Sequence, residues 1–143
     1  MLRHFSKWFL PLALMCLNVN SVQAAPGYVK SPPLSQVVGK TKIGPVADSP
    51  DGVQVPFITW GGDIATILAN GDAKQTQAGS LFASQGLKLN LKREDSFSQQ
   101  VVSYMQGESP YLRGTVGMIN MAAEALSVDP KTAPVVIYQM TWS

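Results

Sequence analysis

Apolar positions along the chain change their spacing several times, and each change marks an element. Residues 55–59, VPFIT, are a short run rich in β-branched and aromatic side chains, the make-up of a buried strand. Gly61 and Gly62 end it. Asp63 then stands at an N-cap position, and Ile64, Ile67 and Leu68 recur on one face of a helix that runs to Asn70 and Gly71, a left-handed stop. Residues 72–78 are polar and read as a loop. Residues 80–85 predict a short helix stopped by Gly86, after which Leu87, Leu89 and Leu91 alternate with Lys88, Asn90 and Lys92, the period of a second strand. Ser96 and Gln99 have the spacing of a capping box for a helix over 97–106, with Val101, Val102 and Met105 on its buried face and Gly107 beyond its end.

Residues 115–119 predict a third strand ended by Asn120, and residues 121–126 a helix. Residues 135–140 are wholly apolar or uncharged and predict a fourth strand, buried on both faces. Strand and helix alternate throughout, so the fold class expected is α/β, a mostly parallel sheet with right-handed crossovers and flanking helices. Such a sheet gathers its strand-to-helix turns along one edge, where open α/β sheets bind ligands, and helix starts there offer N–H groups to an anion. The fourth strand would need a further helix to cover it, so a truncated lobe is expected.

Composition narrows the class. With 45% apolar and 14% charged residues the chain has the material for a core and not the profile of a disordered one. Residues 1–24 have the parts of a secretory signal peptide: Arg3 and Lys7, an apolar stretch from Trp8 to Leu17, and Val22-Gln23-Ala24 before a cleavage point at Ala25. That stretch is about half of the ~20 residues needed to span a bilayer, so export with cleavage is expected over anchoring, and the location expected is periplasmic. Losing Arg3 and Lys7 leaves as many basic as acidic residues, which gives no support to nucleic-acid binding. Residues 25–54, with Pro26, Pro32, Pro33, Pro45 and Pro50, read as an extended lead-in, and residues 55–143 as a partial α/β lobe.

Several chemistries are excluded by residue type. Cys16 and His4 both lie in the leader, so the mature chain has no thiolate, disulfide, Ser-His pair or histidine metal site, and no catalytic residue, metal or cofactor is expected. Cys16 also lacks a lipobox, since Ala13 and Met15 occupy the positions that would need Leu and a small residue. Gly39-Lys40-Thr41 ends like a phosphate loop, but Leu34 stands where its first glycine belongs. Asp48-Ser49-Pro50-Asp51-Gly52 is acidic without the closing glutamate of a calcium loop and reads as a turn. Glu94 and Asp95 are a carboxylate pair at a strand end, open to a cation or to acid-base work, or simply a solvated terminus. Trp60 is a stacking wall or a core aromatic; Asp63 is an N-cap or a contact to an ammonium or hydroxyl.

Two segments carry a family resemblance. Ala78-Gly79-Ser80-Leu81-Phe82, followed by Gly86-Leu87 and an alternating strand, is one; Gly114-Thr115-Val116-Gly117-Met118-Ile119, after a helix with Gly107, is the other. Residues 57–143 resemble by this pattern the amino-terminal lobe of the periplasmic substrate-binding proteins of ABC transporters, in the branch for nitrate, sulfonates, phosphonates and thiamine precursors. The resemblance implies the first lobe of a two-lobe fold about twice as long as this chain. It implies a small-molecule solute, an ABC permease as partner, and a monomer. The ligand-binding positions it implies are Trp60, Gly61, Gly62 and Asp63 after strand one, Asn120 after strand three, and Thr141, Trp142 and Ser143 after strand four. Other classes remain: an envelope sensing or scaffolding module, possible where such a lobe is fused to a peptidoglycan-binding domain, and half of a periplasmic enzyme using Glu94 and Asp95.

Overall fold

The first two strands form at the apolar runs, the first beginning two residues earlier than expected and the second two residues later, and they pair in parallel. In a computed structural model, which describes residues 27–139, strand β1 (Val53–Phe57) lies beside strand β2 (Leu89–Arg93), with Val53 opposite Leu89, Val55 opposite Leu91 and Phe57 opposite Arg93. The architecture is mixed α/β: among the described residues, a two-stranded parallel sheet with flanking helices. Helix α1 (Leu34–Val38) precedes β1. A 3-10 turn (Gly61–Asp63) and helices α2 (Ile64–Ala69) and α3 (Leu81–Ser84) lie between the strands. Helices α4 (Phe97–Met105) and α5 (Val116–Leu126) and a second 3-10 turn (Pro130–Thr132) follow. Residues 27–31 belong to a separate amino-terminal unit and have no regular secondary structure.

Helix ends obey the glycine signals. Gly71 has φ +88°, with its N–H on the Leu68 carbonyl and that of Asp72 on the Ile67 carbonyl, the paired bonds that close a helix through a left-handed residue. Gly107 (φ +78°) ends α4 in the same way, through Tyr104 and Ser103. Ser80 caps α3 by accepting from the Ala83 N–H, and the turn before β1 closes with Gly52 N–H on the Ser49 carbonyl. The loop after α2 is tied down by buried Asn70, which donates to the Ala73 carbonyl and accepts from the Thr76 hydroxyl at 2.7 Å.

The core sits among α1, α4 and α5: Val38, Phe97, Val101, Met105, Ala122, Ala125 and Leu126. Val38 corrects the extended lead-in, because residues 34–38 are helical and bury their last side chain. The lead-in also docks by backbone, with Gly44 N–H on the Met105 carbonyl and Ala47 N–H on that of Gly107. The capping box at the start of α4 does not form. Ser96 makes no side-chain cap bond, and its N–H is taken by Glu94 Oε1 at 3.0 Å.

Two predicted strands are corrected. Residues 115–119 open α5, with Thr115 as N-cap accepting from the Met118 N–H, because Met118, Ile119, Ala122, Ala125 and Leu126 form one continuous helical face. Residues 135–139 form no strand, and Val135, Val136, Ile137 and Tyr138 are 74–81% exposed. A strand needs a partner, and the open edge of β1 offers little. Val53 N–H and the Phe57 carbonyl bond to Lys88 and Glu94, which flank β2, so Gln54 and Pro56 face away from that strand; Pro56 has no N–H, and the Gln54 carbonyl accepts from the Ser109 hydroxyl. Residues 1–24, read as a signal peptide, and Met140 lie outside the described residues. No helix among the described residues is long and apolar enough to cross a membrane.

Candidate functional site

Parallel pairing brings the carboxyl ends of β1 and β2 to one edge, and the turns that leave them are cross-linked. After β1, Thr59 donates its N–H to Asp95 Oδ1 at 2.5 Å and its hydroxyl to Oδ2 at 2.8 Å. Glu94 N–H donates to the Phe57 carbonyl, so the start of the second turn is held against the end of β1. The two hydrogen bonds from Thr59, the backbone one first, hold the Asp95 carboxyl below the usual carboxylate range, with Arg93 adding a smaller pull in the same direction.

Asp63 is the centre of the site. Only 1% exposed, it does not cap α2 with its side chain, which corrects its reading as an N-cap. Its carboxylate reaches back instead: Oδ2 accepts from the Ile58 N–H at 2.9 Å and Oδ1 from Arg113 Nε at 2.9 Å. A buried carboxylate needs such partners, since leaving one unpaired costs several kcal/mol, on the order of 3–5. Arg113 comes from the loop before α5, and its guanidinium carbon lies 5.1 Å from the centroid of the Trp60 ring, within cation–π range. Its own backbone N–H donates to Oε1 of buried Gln100, whose Nε2 donates to the Glu94 carbonyl. Arg113 therefore joins the turn after β1 to the turn after β2.

Trp60 is 44% exposed, so its indole is neither a core aromatic nor free of the fold. The ring lies against Gly62, where a Cβ would sit 1.8 Å from its Cζ3; any larger residue at 62 would push the indole away. Gly61, by contrast, faces open space. The N–H groups of Asp63 and Ile64 are already bonded, to the Trp60 and Gly61 carbonyls, so the helix start offers an anion less than the sequence suggested.

Set against known protein families, curated proteins and solved structures, the chain matches none. What the site can do therefore rests on its geometry. Trp60, Gly61, Gly62 and Asp63 fall together at the strand edge. Asn120 does not: with residues 115–119 helical, it lies within α5 on an exposed position and follows no strand. Thr141, Trp142 and Ser143 lie outside the described residues. Arg113 and Gln100 were missed by sequence reasoning. Beside the strand ends an open groove of about 480 Å³ has Phe57, Ile67 and Leu91 among its lining, with Lys74, Lys92 and Arg93. Among the described residues no three His, Cys, Asp or Glu side chains gather as a metal site would need.

Proposed function

We propose that the chain is the first lobe of an extracytoplasmic solute-binding protein of an ABC uptake system, in the two-lobe arrangement its sequence resembles. It captures a small, anionic molecule at the edge where β1 and β2 end and delivers it to a membrane permease, making and breaking no bond. The observation that supports this reading is the cross-linked pair of turns at the carboxyl ends of parallel strands, with a half-exposed tryptophan beside a pinned arginine. A cross-linked rim with one aromatic wall and one arginine held by a buried carboxylate suits recognition of a small solute.

A thermal-shift screen of the full chain against inorganic anions, sulfonates, phosphonates and amino acids tests the proposal. A true ligand present at a hundredfold excess over its Kd adds about 2.7 kcal/mol of stability. A panel in which no compound raises the melting temperature counts against solute capture.

A further inference from the structure

Arg113 has more hydrogen-bonding capacity than its surroundings use. A guanidinium carries five N–H donors, and among the described residues its side chain makes one hydrogen bond, from Nε to Asp63. That bond faces inward, to a carboxylate that is itself buried. It leaves the two terminal nitrogens, the pair suited to two parallel bonds to an oxyanion. The side chain is 19% exposed, and neither terminal nitrogen is among the buried polar atoms left without a partner, so both reach some solvent.

Orientation is fixed from three sides. Asp63 holds Nε, the guanidinium carbon lies over the Trp60 ring, and Gln100 holds the backbone N–H. An arginine held in this way loses little side-chain freedom when an anion arrives, which is the gain of preorganisation. The other carboxylates of the edge are turned elsewhere: Asp95 accepts from Thr59 through both oxygens, and Glu94 accepts from Ser96 N–H.

We propose that Arg113 is the specificity-determining residue of this site and that the captured solute is an organic oxyanion, a carboxylate, sulfonate or phosphonate, whose charged end meets the terminal nitrogens of Arg113 while its apolar body lies along the exposed part of the Trp60 indole. The inference rests on the solute-capture reading. Asp63 is then a positioning residue: it turns the guanidinium outward and does not touch the solute.

Binding of phenylphosphonate, benzenesulfonate and benzoate to the full chain, compared with the neutral benzamide and benzenesulfonamide, tests it by calorimetry and tryptophan fluorescence. At least one of the anions is expected to bind about tenfold or more tighter than either neutral compound, because a neutral group cannot accept two charge-assisted bonds. The double variant D63N/R113Q keeps an uncharged hydrogen-bonding pair in place of the ion pair and should lose that preference. R113K retains the charge without the fork, and should lose at least about tenfold in affinity for the same anion. Should the double variant melt below the assay temperature, R113K with its melting temperature recorded carries the comparison. Neutral probes binding as tightly as anions, or an anion binding both variants as tightly as the parent, would overturn the role of Arg113 and leave solute capture standing. Absence of binding by every probe here, and by every compound in the wider screen, overturns both.

Discussion

Asp95 and Thr59 form a two-point contact whose effect on pH dependence has a definite sign. Thr59 stabilises the ionised carboxylate, so the folded-state pKa lies below the unfolded one. Its contribution is therefore complete above the ordinary carboxylate range, and is lost as pH falls through that range towards the depressed value. Thr59→Val removes the hydroxyl and keeps the backbone N–H, which is the larger cause. The Asp95 midpoint, followed through its carboxyl carbon by NMR, should rise part of the way to its ordinary value; an unchanged midpoint would show that the hydroxyl contributes nothing. A different pair leaves only a partial trace in the sequence. Asp63 carries the sole charge in residues 53–71 and Arg113 the sole charge in residues 109–123. A charge that is buried, as Asp63 is, must find a partner, and these two find each other. Nothing local in either segment says so, because the contact spans 50 positions.

Elements were legible where local chemistry agreed with the tertiary outcome. The glycine stops at 71, 86 and 107 and the apolar run of β1 are local signals, and the structure keeps them. Residues 115–119 misled because Val116 and Ile119 favour strands while Thr115 suits a strand or a cap equally. The apolar face of 118, 119, 122, 125 and 126 decides for helix, since it buries Ala122, Ala125 and Leu126 in the core. Thr115 then has a specific task. Thr115→Ala should lower stability by about 1 kcal/mol, while Thr115→Ser should be close to the parent. Denaturation midpoints would measure this, and equal losses for Ala and Ser would refute the cap. Residues 135–138 mark the other limit of sequence reading. Their composition says buried strand, but composition does not supply the neighbouring backbone that a strand requires.

At the scale of the whole molecule, the core is assembled from segments far apart in the chain. Val38, from a stretch whose prolines suggested an extended arm, packs with Phe97, Val101 and Leu126. Adjacent valines give a direct comparison: Val38 is 1% exposed and Val37 is 54% exposed. Val38→Ala should cost about 2 kcal/mol in urea unfolding, by lost burial and the space left behind, whereas Val37→Ala should stay within about 0.5 kcal/mol. Equal effects would mean that α1 is not docked. The same long-range closure governs when the chain can fold. A growing polypeptide cannot complete the surface that buries Val38 until translation has passed Leu126, so α1 emerges from the ribosome well ahead of its last packing partner. Over that interval α1 is open to chaperones and to any machinery that threads unfolded polypeptide.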